Sequence, residues 1–140
     1  MTTDPWDLER FTAAQSGTYE HALAELRRGR KTSHWIWFVF PQIAGLGLSA
    51  TSRTYAISSL AEATAYLEHP VLGPRLVECA SILAGLAGLT AEQIFGGIDA
   101  QKLRSSMTLF LHAQPDQQAF RQVLDKYFGG AADPATEQRL

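Results

Sequence analysis

From residue 59 onward the sequence repeats one grammar: a small polar residue, an apolar run at helical spacing, then a glycine or proline. "SLAE" at 59–62 is a capping-box pattern, in which a Ser hydroxyl and a Glu carboxylate satisfy the free N–H groups of a first turn. It opens a helix to about Glu68, which His69-Pro70 ends. Pro70 suits the first position of a further helix with a stripe of Leu72, Leu76, Cys79, Leu83 and Leu86, and Gly73-Pro74 predicts an irregular first turn. "TAEQ" at 90–93 is a second capping box, opening a short helix that stops at Gly96-Gly97. Asp99 to His112 reads as a helix burying Leu103, Met107, Phe110 and Leu111. Asp116 caps the clearest helix, carrying Phe120, Val123, Leu124, Tyr127 and Phe128 and ended by Gly129-Gly130. "DPAT" then begins a short terminal turn, with Asp133 as its cap and Pro134 first.

Upstream, Asp7 can cap a short helix carrying Leu8 and Phe11. Thr18 to Arg28 places Tyr19, Ala22, Leu23 and Leu26 on one face, with Gly29 as the stop. No two alternating runs are joined by a hairpin turn, so no strand pairing is expected. The pattern predicts an all-α or mainly α, compact, bundle-like fold of about seven to eight helices, one domain over residues 1–140. One segment, 34 to 57, leaves two readings open. "HWIWFVF" is a buried helix with Ser33 as its cap or an isolated strand, and "GLGLSATS" after it is a long loop of the kind that often carries function.

A chain of 140 residues can bury a core without disulfides or metals. Cys79 is the one cysteine, which excludes an intramolecular disulfide and suits a reducing compartment. The start lacks the basic and apolar regions of a signal peptide, and the apolar stretch 71–89 is interrupted by Arg75 and Glu78. A cytoplasmic protein off the membrane is therefore expected. A net charge of −2 gives no general field for DNA, so any anion site must be local. The histidines at 21, 34, 69 and 112 and Cys79 show no metal-ligand spacing, and there is no phosphate loop or nucleophile elbow. No cofactor or metal is implied, and nothing sets an oligomeric state.

Three features can carry chemistry. In "RRGRK" (27–31), Arg27 and Arg28 offset the negative end of their helix, while Arg30 and Lys31 are solvated or form a phosphate clamp. In "KTSHWIWFVFPQ" (31–42), Ile36, Phe38, Val39 and Phe40 belong to the core. Trp35 and Trp37 each carry an indole N–H and stand beside His34 and Lys31, an arrangement suited to stacking a nucleobase. On a helix the two lie about 200° apart and only one can face a site; on a strand they share a face.

The third is "IFGGIDAQKLRSSMTLF" (94–110). Ser106 falls in the apolar arc and needs a partner, the carbonyl one turn back or a ligand. Ser105, Thr108 and His112 share the polar side, where they are expected to be solvated, and Lys102 borders the buried arc. Gly96-Gly97 lead into a helix N-terminus whose N–H groups can hold a phosphate. Asp99 is that helix's cap or a carboxylate pointed at a ligand.

"KTSHWIWFVFPQIAGLGLS", "HPVLGPRL" and "IFGGIDAQKLRSSMTLF" together resemble a bacterial family known as domain of unknown function 1810, over nearly the whole chain. That family is sometimes labelled calpastatin-like, although calpastatin repeats are disordered and this chain has a full core pattern. The order His69-Pro70-x-Leu72, then Phe95-Gly96-Gly97-x-Asp99-x-x-Lys102 and an apolar helix, is also similar to the NADAR superfamily. The similarity departs at Phe95, where that superfamily has tryptophan, and at "QKLRSS", where it has a Gly-Lys-Asn run.

This second resemblance implies binding or N-glycosidic processing of a nucleotide-like small molecule of the ADP-ribose or NAD type. A hydrolase of that kind needs a carboxylate near the oxocarbenium ion and a proton source. Asp99 would be the carboxylate and His34 the acid. Arg30, Lys31 and Lys102 would hold phosphates and Trp35 or Trp37 the base, with Gly96, Gly97, Ser105 and Ser106 completing the site. A second carboxylate would have to come from Glu20, Glu25 or Glu78. The alternative is a non-catalytic ligand-binding or protein-interaction module. Asp99 and His34 at one cavity favour the enzyme; His34 in solvent favours the module.

Overall fold

The computed structural model describes residues 3–140, and every regular element among them is a helix. In chain order these are α1 (Glu9–Gln15), α2 (Tyr19–Arg28), α3 (Ile36–Val39), α4 (Ala50–Thr54), α5 (Leu60–Glu68), α6 (Leu72–Gly85), α7 (Ala91–Phe95), α8 (Gly97–Ala113), α9 (Gln118–Phe128) and α10 (Pro134–Glu137). The two beyond the expected number, α3 and α4, both lie in the segment whose periodicity was ambiguous. The long loop is therefore corrected: Ser49 accepts the Ser52 N–H and turns Ala50–Thr54 into a helix.

Local chemistry explains most boundaries. Gly29 ends α2 in the left-handed region. The box at Thr90 closes in both directions, hydroxyl to Gln93 N–H and Gln93 side chain to Thr90 N–H. The box at Ser59 is half closed, because the Glu62 carboxylate turns to Ser58 and to Arg10 instead. Three expected caps move. Asp4, not Asp7, accepts the N–H groups of Leu8 and Glu9. Gln117, not Asp116, caps α9. Asp99 is the third residue of α8, whose N-cap is Gly96. α6 begins at Leu72 rather than Pro70, with His69 Nδ1 receiving the Val71 and Leu72 N–H groups. Gly73 lets that turn close onto the Leu67 carbonyl, in space where a Cβ has no room.

The expected apolar faces converge on one core, whose largest fully buried side chains are Trp35, Tyr66, Phe11, Phe40, Phe110 and Phe120. Phe38, Leu86, Leu111, Tyr127 and Phe128 pack at its margin, half-buried. α8 is the central element and packs against α5, α7, α9 and α10. Phe110 on α8 sits between Tyr66 of α5 and Phe120 of α9, with ring centroids 5.3 and 6.0 Å away.

Residues 131–137 lie over the face of α8 that carries Ser105 and Thr108. Those two hydroxyls are consequently buried, not solvated. Thr108 Oγ accepts the Asp133 N–H, and the Asp133 carboxylate gathers Gln101, Ser105 and both donors of Thr136. No helix is long and apolar enough to cross a membrane among the described residues.

Candidate functional site

The connection from α2 to α3 has few apolar residues before Trp35, yet it is tightly held. Its anchor is Glu25, buried on the inner face of α2. Glu25 accepts the N–H of Thr32 (2.6 Å) and Ser33 (2.9 Å), the Ser33 hydroxyl (2.7 Å) and the Trp35 indole N–H (3.0 Å). Burial alone raises a carboxyl pKa, but these four donors outweigh it and hold Glu25 down at about 2. Lys31 is fixed alongside by a bond from its N–H to the Ile94 carbonyl, 2.8 Å, which ties the connection to α7. Ser33 thus serves Glu25 and is not the cap of α3, which has no side-chain cap.

Residues 36–39 are helical, with Trp35 as the N-cap just outside the helix, and the two tryptophans meet different surroundings. Trp35 is fully buried and meets Phe95 edge to face at 6.3 Å. Trp37 is half-buried on the other side, and its indole N–H finds no acceptor among the described residues.

Asp99 stands between the two faces. Its Oδ2 is 2.7 Å from Lys31 Nζ and its Oδ1 3.3 Å from Lys102 Nζ. Each lysine also covers a tryptophan: Lys31 Nζ lies 5.2 Å from the Trp35 ring centre and Lys102 Nζ 4.6 Å from that of Trp37. The result is a line of three charges along the edge of the aromatic segment, with Lys102 at the more exposed end.

Beside Lys102 opens a cleft of about 580 Å³, within the size range of small-molecule sites. One wall comes from the segment around α4. Ile43 and Ile57 form a parallel bridge, with Ala44 and Ile57 N–H groups bonded to the Ile57 and Gln42 carbonyls. The bridge pins both ends of the excursion, which presents Leu46, Arg53 and Tyr55 to the cleft. The facing wall is Ile98, Gln101, Lys102 and Ser105 of α8 with Asp133 and Ala135 of the C-terminal segment. Gly45, at φ +96°, adopts a backbone conformation that favours glycine and lies under the Arg139 guanidinium.

Of the residues singled out from sequence, Trp37, Lys102 and Ser105 line the cleft, and Lys31 and Asp99 form the charged edge behind it. Arg30 and His34 are exposed and outside the lining. Trp35 is in the core. Gly96 and Gly97 form the exposed start of α8. Ser106 is fully buried, and its hydroxyl makes neither the expected bond one turn back nor any other among the described residues. His69 caps α6. Cys79 is buried outside the cleft, and burial pushes its thiol up to about 12.

Sequence reasoning missed Arg53, Tyr55 and Gln101 as lining residues, and it read Asp133 only as a cap. The signal for Arg53 and Tyr55 was the glycine-rich stretch before α4, while Gln101 lies inside the motif at 94–110. No group of three or more His, Cys, Asp or Glu placed to hold a metal occurs among the described residues.

A family model described as "Protein of unknown function (DUF1810)" matches residues 5–140. The crystal structure of the conserved hypothetical protein Rv1873 from Mycobacterium tuberculosis superposes with a TM-score of 0.96, at 51% identity over 98% of each chain. No curated protein matches the chain.

Proposed function

The chain belongs to the DUF1810 family, and from that premise we propose that the cleft binds a small anionic molecule with a flat apolar part, of the nucleotide class. The observation that carries the reading is the pairing of charge and aromatic surface in one cleft. Lys102 and Arg53 reach it from different helices, while Trp37, Tyr55, Leu46 and Ile98 supply apolar wall. The carboxylate in that lining, Asp133, has its oxygens turned to four donors of its own chain, while the two cations of the lining, Lys102 and Arg53, outnumber it. A local cationic pocket in a chain of net charge −2 is what a phosphate-bearing ligand requires.

Binding is favoured over N-glycosidic cleavage. Cleavage needs a carboxylate free to face the sugar: Asp99 is committed to two lysines, Asp133 to four donors and Glu25 to four, while Glu20 and Glu78 are exposed outside the lining. His34, the candidate acid, is exposed outside the lining.

The test is a thermal-shift series with AMP, ADP-ribose and NAD against adenosine. The phosphorylated ligands are expected to raise the melting temperature by mass action, adenosine much less. No shift with any of them at millimolar concentration overturns the reading. Release of nicotinamide from NAD in the same incubations moves it to N-glycosidic cleavage.

A further inference from the structure

We infer that Lys31 and Asp99, neither of which lines the cleft, set the charge that Lys102 presents to it. The inference rests on the anion-binding reading and adds a mechanism for its selectivity.

The two halves of the charged line are unequal. Lys31 is 6% exposed, is fixed by its own N–H at Ile94, and meets Asp99 at 2.7 Å. Lys102 is 23% exposed and meets Asp99 at 3.3 Å. The shorter pair, whose ammonium is the buried one, is the committed one, because separating it strands the Lys31 charge in a poorly solvated place. Asp99 is therefore neutralised chiefly by Lys31. The Lys102 ammonium keeps donors free beyond that one contact and lies in the cleft wall above Trp37.

The three charges sum to +1, and the surplus is at the cleft end. Two other charged groups line the cleft: Arg53, with no acidic partner among the described residues, and Asp133, held by four donors.

Three substitutions follow from that sum. Without Lys31, Asp99 turns its whole charge on Lys102 and the surplus disappears. Without the Asp99 charge, Lys102 is released. Without both, the edge returns to +1, as in the native chain. A role for Asp99 as a ligand contact, or for Lys31 as mere packing, gives a different order.

The experiment is calorimetric titration of the full chain with inorganic pyrophosphate, with AMP as a second probe, at two salt concentrations. Lys31→Met is expected to weaken binding about tenfold and to flatten the salt dependence. Asp99→Asn is expected to tighten it about threefold, and the double variant to return within about twofold of the native affinity. Should Lys31→Met fail to fold, shown by loss of its cooperative melt, the sign for Asp99→Asn decides. Weaker binding by Asp99→Asn overturns the inference, as does a double variant as weak as Lys31→Met. A native chain that binds neither probe overturns the cleft reading itself.

Discussion

Trp35 and Trp37 stand two residues apart on the same short segment, each with a lysine over its ring, and live in opposite conditions. Trp35 is enclosed: its N–H ends on Glu25, its ring on Phe95, and its lysine on a short ion pair. Trp37 is half-buried in the cleft wall, with an enclosed N–H that has no acceptor among the described residues and a lysine whose charge is only partly matched. Residue type and local sequence did not decide which aromatic would build the core. The buried carboxylate of Glu25, ten residues back on α2, did. A side with its polar groups answered is structure; a side with surplus charge beside a cleft is where a ligand has something to add.

The comparison breaks first at Trp35. Trp35→Ala is expected to cost about 3–5 kcal/mol in chemical denaturation, since it empties a fully buried site. A loss under about 1 kcal/mol would mean the enclosed side is not enclosed.

Next comes Glu25. Its folded pKa of about 2 lies below the usual 4.5, so its carboxylate contributes stability that is fully present above pH 4.5 and lost as pH falls toward 2. Stability measured across that window should fall by about 2–3 kcal/mol in the native chain beyond the fall seen in Glu25→Gln. Parallel curves would remove Glu25 as the anchor.

The smallest effect belongs to Trp37. Trp37→Phe keeps an aromatic wall and deletes an N–H with no protein acceptor, so stability should stay within about 1 kcal/mol of native. A loss above 2 kcal/mol would reveal a partner for that N–H and erase the contrast.

Much of the fold was legible because helix ends are written locally. Gly29, the Thr90 box and Asp133-Pro134 each act within a turn of their own position. What stayed hidden depends on distant chain. α3 is four residues long and uncapped, too short to stand on propensity, and is held by Glu25 and the core. Ser105 and Thr108 looked solvated because the segment that covers them lies 28 and 25 residues further on. Lys31, Asp99 and Lys102 were each singled out, but their pairing needs the approach of α8 to the α2–α3 connection, which no spacing encodes.

That approach is aimed by a single residue. Gly96, at φ +81° and ψ 163°, is all that separates α7 from α8, and it sets the direction in which Asp99 and Lys102 leave the junction. Every amino acid reachable from a glycine codon by one base change carries a Cβ, so each first mutational step at position 96 meets backbone strain. The charge pattern at the cleft is thus inherited through a position that has no charge of its own, and a change there would move Asp99 and Lys102 together.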